Sequence, residues 1–117
     1  YRNVKYLAVS NVNSKENLDE YLINIPKHVS IVPKIESHIG VENIESIVSV
    51  LNSEEKIVML DHDDLFGNLL KSNIPIEKFS HYINQLIDFC KINNILLLRT
   101  IGIIFTNENK NVSDYIR

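Results

Sequence analysis

The chain has 117 residues, the length of one ordinary domain or of part of a larger one. Hydrophobic residues make up 44% and charged residues 23%, a globular balance rather than a disordered or fibrous one. A net charge of −3 with a pI near 5.8 leaves no basic footprint for nucleic acid, and no apolar run approaches the ~20 residues that would cross a membrane.

A single cysteine, Cys90, offers no internal disulfide and fits a reducing compartment, so a cytoplasmic location is expected. The three glycines, Gly40, Gly67 and Gly102, are too dispersed for a P-loop or a G-x-G-x-x-G phosphate cradle. The chain opens on Tyr1 rather than Met, which fits a trimmed or excised piece of a longer protein.

Tyr6 to Val12 is an apolar run of strand length closed by polar residues. Ser14 then offers a helix N-cap with Glu16 in the first turn. Leu18, Tyr21, Leu22 and Ile25 form one helical stripe, which Pro26 ends. Val29 to Ile35 reads as a second strand. Val41, Ile44, Ile47, Val48 and Leu51 give the next helical stripe, and residues 52–55 turn the chain back. Lys56 to Leu60 is a third strand running into Asp61-His62-Asp63-Asp64, and Leu65 to Asn73 is a short helix or a loop.

Pro75 suits a helix start, and Ile76, Phe79, Ile83, Leu86 and Cys90 space out a long amphipathic helix. Ile95 to Leu98 is a fourth strand ending in Arg99 and Thr100. Ile101 to Phe105 extend it or pack its exit, and Val112-Ser113-Asp114 opens a further helix. Alternating strands and helices, with strands that are nearly all apolar, predict a parallel α/β sheet covered on both faces. Four such units fit a small open sheet or about half of a (β/α)8 barrel, which needs ~250 residues when complete. The pattern alone leaves both open, with residues 1–117 as a single unit and no second domain.

Polar side chains gather at the strand ends: Ser10 and Asn13, Lys34 and Glu36, the acidic cluster, and Arg99 with Thr100. In parallel α/β folds that edge is where ligands bind. Lys34 and Glu36, two apart on a strand, share one side of the sheet. Glu36 with one of the aspartates makes a hard-oxygen set suited to Mg2+ or Mn2+, which take one or two protein carboxylates. The acidic cluster read by itself is equally a solvated loop or a helix cap. His28, His38, His62 and His81 have no metal-ligand spacing, and Cys90 falls on an apolar stripe.

Ile31-Val32-Pro33-Lys34-Ile35-Glu36-Ser37, followed by Gly40-Val41-Glu42-Asn43-Ile44-Glu45-Ser46-Ile47, resembles the "KIE…G…N…I" segment of pyruvate kinase. Ser10-Asn11-Val12-Asn13 is similar to that family's serine-aromatic-aliphatic-arginine strand end. Ile57 to Leu65 resembles its "IMVARGDL" strand, Leu97 to Thr100 its "VATQ" strand, and Asn111 to Asp114 its "EVSD" helix start. The HpcH/HpaI aldolases and citrate-lyase-type enzymes share the glutamate, glycine and later aspartate segments, usually without the lysine.

The resemblance implies a partial (β/α)8 TIM barrel of the phosphoenolpyruvate/pyruvate type, covering its later-middle units. It implies a metal held by Glu36 and Asp64, with Lys34 and Thr100 as catalytic residues. Ser10, Asp63 and Thr100 would contact a small-molecule keto acid or enol phosphate, and the reaction would pass through an enolate. The assembly expected is a homo-oligomer or part of a longer chain. The alternatives are a carbon–carbon lyase or aldolase on the same metal, or a degenerate barrel without catalysis. Asp61-His62-Asp63 stands where the family has Ala-Arg-Gly, Ile101 replaces a glutamine, and Asn13 replaces an arginine.

Overall fold

A computed structural model describes residues 3–100 and the backbone of a short strand at Tyr115–Ile116. The strands are β1 (Tyr6–Val9), β2 (Ser30–Ile35), β3 (Ile57–Asp61), β4 (Leu96–Thr100) and β5 (Tyr115–Ile116). They lie side by side in chain order; β1 to β4 are parallel and β5 runs antiparallel to β4. The helices between them are α1 (Asp19–Asn24), α2 (His38–Glu42), α3 (Ile44–Ser49), α4 (His62–Lys71) and α5 (Phe79–Ile92). Short 3-10 turns at Lys15–Leu18 and Ile76–Lys78 lead into α1 and α5.

Most local expectations hold, with shifted boundaries. β1 stops at Val9 because Ser10 and Asn11 leave the sheet, Asn11 with φ 57°. The stripe from Leu18 to Ile25 is a 3-10 turn joined to α1 rather than one helix. Asn43, at φ −97° and ψ 13°, divides the second helical stretch into α2 and α3, yet Val41, Ile44, Ile47, Val48 and Leu51 are all buried. Ile76 departs from its expected stripe and is 49% exposed. The stretch 65–73, read as a helix or a loop, is helical and begins earlier, at His62. Ile101–Phe105 and the helix start at Val112-Ser113-Asp114 lie outside the described residues.

Among the described residues the helices lie on one face of the sheet. Strand residues that join the helix-packed core are Val9, Ile31, Ile35, Val58 and Leu60, with Leu7 and Leu97 against it. By the strand register, Tyr6, Ala8, Val32, Lys34, Ile57, Met59, Leu96, Leu98 and Thr100 occupy the other face, and none of them belongs to that core. Every described helix therefore packs on that one face of the sheet. The strand order explains it: parallel crossovers are almost always right-handed, so an order that never reverses puts each helix on the same side. On the second face Val32 and Ile57 are buried, while Tyr6 is 53% and Leu96 41% exposed. A barrel segment and a small open sheet both have this topology.

The core closes tightly under the strand ends. Leu18, Ile35, Ile47, Leu60, Leu65, Leu69 and Leu86 are fully buried, each contributing about 1.5–3 kcal/mol of burial. Gly40 in α2 sits under the β1–α1 loop, where a Cβ would come within 2.7 Å of the Val12 carbonyl oxygen. Glycine is what allows this loop to lie across the end of β2.

Candidate active site

The apolar residues of β2 anchor the strand, with Pro33 and Ile35 fully buried, and deliver Lys34 and Glu36 to its C-terminal end. β3 does the same for Asp61, its last residue, which is also the N-cap of α4. Asp61 Oδ1 accepts from the Asp64 backbone N–H at 2.9 Å, while its Oδ2 lies 3.8 Å from Lys34 Nζ. One carboxylate thus fixes the start of α4 and engages the lysine of the neighbouring strand. Asp63 and Asp64 follow in the first helical turn, where the helix dipole favours negative charge.

Glu36, just past β2, has Oε2 held by the Asn11 backbone N–H at 2.7 Å. Carboxylate oxygens of Glu36, Asp61 and Asp64 all fall within 4.8 Å of one another. Burial raises the Glu36 pKa above its usual value; the Asn11 amide partly offsets this, and the hydrogen bond and charge of Asp64 raise it further. Crowded carboxylates of this kind are relieved either by a shared proton or by a cation. All three donors are hard oxygens, the ligand type that Mg2+ and Mn2+ take.

The β1–α1 loop is bound down beside this cluster. Ser37, buried at the N-cap of α2, accepts from the Gly40 N–H at 3.0 Å and donates its hydroxyl hydrogen to Asn13 Oδ1. Asn43 Nδ2 reaches the Asn13 carbonyl at 2.9 Å, and the Val12 N–H donates to the Lys34 carbonyl at 3.3 Å. Across the cleft, Asn68 of α4 accepts from the His38 N–H at 3.0 Å and stands 2.9 Å from its Nδ1. Between loop and helix an open groove of about 410 Å³ runs past Glu36 and Asp64.

The expected residues therefore separate. Glu36 and Asp64 converge, and Lys34 stands at the edge of their cluster, held by Asp61. Asp63 is exposed and lines the groove; Ser10 is exposed just past β1. Thr100 pairs with Asp61 in the β3–β4 register, and its hydroxyl donates to the Leu60 carbonyl at 3.3 Å. His62 accepts from Arg99 Nε at 3.2 Å, and burial followed by the Arg99 charge lowers its pKa.

Asp61, one of the three aspartates that the sequence leaves open beside Glu36, joins Asp64 in the cluster, whereas the resemblance points to Asp64 alone. The available signal was its position three before Asp64 at a strand-to-helix junction, where an aspartate side chain caps. Of the two readings of the acidic stretch, solvated loop or helix cap, the cap holds: Asp61 caps α4, and Asp63 and Asp64 lie in its first turn. Asn11 was missed. It acts through its backbone, on which residue identity carries little information.

Four parallel strands in sequential order, with polar residues at their C-terminal ends, define an α/β domain built of β-α units. Comparison with known proteins agrees at the level of fold. No family model and no curated protein matches the chain. Among solved structures, RipC from Yersinia pestis aligns with a TM-score of 0.70 at 16% identity, over 90% of this chain and 48% of that one. A pyruvate kinase from Cryptosporidium parvum aligns with a TM-score of 0.65 at 24% identity, over 86% of this chain and 21% of that one. A Cryptosporidium parvum pyruvate kinase in complex with ADP aligns at 0.61 with 25% identity, over 82% and 19%. The chain thus spans about half of RipC and about a fifth of the pyruvate kinases, and its fold is pyruvate-kinase-like. No helix among the described residues is long and apolar enough to cross a membrane.

Proposed function

We propose that this chain is the metal-binding segment of a pyruvate-kinase-like (β/α)8 barrel that acts on a pyruvate- or phosphoenolpyruvate-type acid through an enolate. The observation that carries the reading is the convergence of Glu36 and Asp64 from neighbouring strand ends, with Asp61 as a third carboxylate within 4.8 Å. Further β-α units would close the barrel and enclose the second face of the sheet. In this reading Glu36 and Asp64 hold Mg2+ or Mn2+. The cation supplies Lewis-acid polarisation of a substrate oxygen. Lys34 adds positive charge where the enolate develops, electrostatic catalysis that asks little covalent work of the protein. Ser10, Asp63 and Thr100 are the proposed substrate contacts.

Calorimetric titration with Mn2+ tests the reading, with Glu36→Gln as the control. Saturable binding by the parent chain that the substitution weakens at least tenfold supports it. Binding that survives Glu36→Gln unchanged, or no binding by the parent chain, removes the metal reading and leaves a degenerate barrel.

A second reading rests on the Lys34–Asp61 pair. In phosphoryl transfer the lysine has to meet the transferring group, and here a carboxylate 3.8 Å away competes for it. An aldolase or lyase makes no such demand. Lys34→Ala separates the two: it abolishes phosphoryl transfer, and it leaves retro-aldol cleavage of a 2-keto acid largely intact.

A further inference from the structure

The groove between the β1–α1 loop and α4 has a lining whose chemistry is specific enough to name a ligand class. Its walls carry Asn11, Asn13, Ser37, Asn68 and Lys71 together with Glu36, Asp63 and Asp64, and among the described residues no apolar side chain lines it. An apolar ligand would therefore gain no burial there. Three carboxylates oppose one ammonium, so a bare oxyanion is repelled as well.

One of the asparagines is fixed in orientation. The His38 backbone N–H can only donate, so the Asn68 atom facing it is Oδ1. Asn13 Oδ1 is paired with the Ser37 hydroxyl. Each amide then has its Nδ2 group left as a donor. Amide donors and carboxylate acceptors lining one groove match a group that both donates and accepts, which is the property of neighbouring hydroxyls.

We propose that this groove is a subsite for a vicinal diol or polyol, which takes the hydroxylated part of a substrate whose acid end lies at the metal. The inference rests on the metal-centre reading above only for that second half; the groove's own chemistry does not need a cation. Asn68 and Asn13 donate to ligand hydroxyl oxygens, and Asp63 accepts their hydrogens. The pocket volume, about 410 Å³, is within the range of small-molecule sites.

The test follows the side-chain amide resonances of Asn13 and Asn68 in 15N-labelled protein titrated with D-ribose, and separately with inorganic phosphate. Ribose is expected to move both amides saturably, and phosphate is expected to leave them in place. Asn68→Asp keeps the oxygen that accepts from His38 and exchanges the donor for a charged acceptor, so it should weaken ribose binding at least tenfold without unfolding the chain. Asn13→Asp is the independent second variant. The proposal is overturned if ribose moves neither amide, if both variants bind ribose as the parent does, or if phosphate moves the amides at lower concentration than ribose. Line broadening by Mn2+ around Glu36 and Asp64, measured on the same sample, keeps the two readings apart. Broadening without a ribose response sinks the groove alone, and a ribose response without broadening sinks the metal centre alone.

Discussion

Lys34 Nζ lies 3.8 Å from Asp61 Oδ2, so the lysine at the end of β2 is held by the residue that caps α4 on the next strand. The pair is largely shielded, with side-chain exposures of 25% and 21%. Asp61 thereby links three things: the lysine, the helix start and the carboxylate cluster.

Those roles separate by substitution. Asp61→Asn keeps a good capping oxygen and loses the charge, so stability should change by less than about 1 kcal/mol, the usual limit for such a pair. Asp61→Ala loses the cap too and should cost about 0.5–2 kcal/mol. Urea denaturation of both variants checks this; equal losses would mean that the cap contributes nothing.

The raised Glu36 pKa gives a pH dependence with a definite sign. In the folded chain Glu36 holds its proton more tightly than in the unfolded chain. Its contribution to stability is therefore greatest below the ordinary glutamate pKa and is lost as pH rises through the raised value. Glu36→Gln should accordingly raise the melting temperature near neutral pH and matter little under acid conditions. A melting temperature that falls on substitution at neutral pH would contradict the assignment. Mn2+ competes with the same proton, so metal affinity should begin to drop at a pH above the ordinary glutamate range.

The two described glycines should respond in opposite directions. Gly40→Ala drives a Cβ to 2.7 Å from the Val12 carbonyl oxygen and 3.2 Å from Ile35 Cγ2, at a cost of about 1–3 kcal/mol. Because the displaced backbone belongs to the β1–α1 loop, the Asn11 N–H should also leave Glu36. Gly67→Ala meets nothing within 4 Å in the middle of α4 and should stabilise by about 0.4–1 kcal/mol. Equilibrium unfolding of the pair decides it.

Cys90 is 2% exposed in the core, and burial pushes its thiol up to about 11. Reaction with a thiol reagent at neutral pH should be slow in the native protein and become fast on denaturation. Rapid labelling of the folded chain would show that α5 opens readily.

The local levels of structure were legible because their determinants are local. Periodicity located four parallel strands and most helices, and the spacing of two put Lys34 and Glu36 on one side of a strand. Apolar spacing marked Ile83, Leu86 and Cys90 as core, and they are buried. Residue type marked Glu36 and one of the three aspartates as hard-oxygen candidates, and the family resemblance singled out Asp64.

What the sequence left open depends on register and crossover, which join distant positions. Whether helices covered one face or both followed from the order of strands, and no window of residues contains that order. The antiparallel β5 is set by pairing with β4 and has no sequence signal of its own. The partner of Lys34 was decided by the alignment of β2 with β3, which brought Asp61 to it. The Asn11 amide reached Glu36 across 25 positions because Gly40 let the loop lie close. Side-chain chemistry is written residue by residue, and the distances that join those residues into a site exist only once the strands have paired.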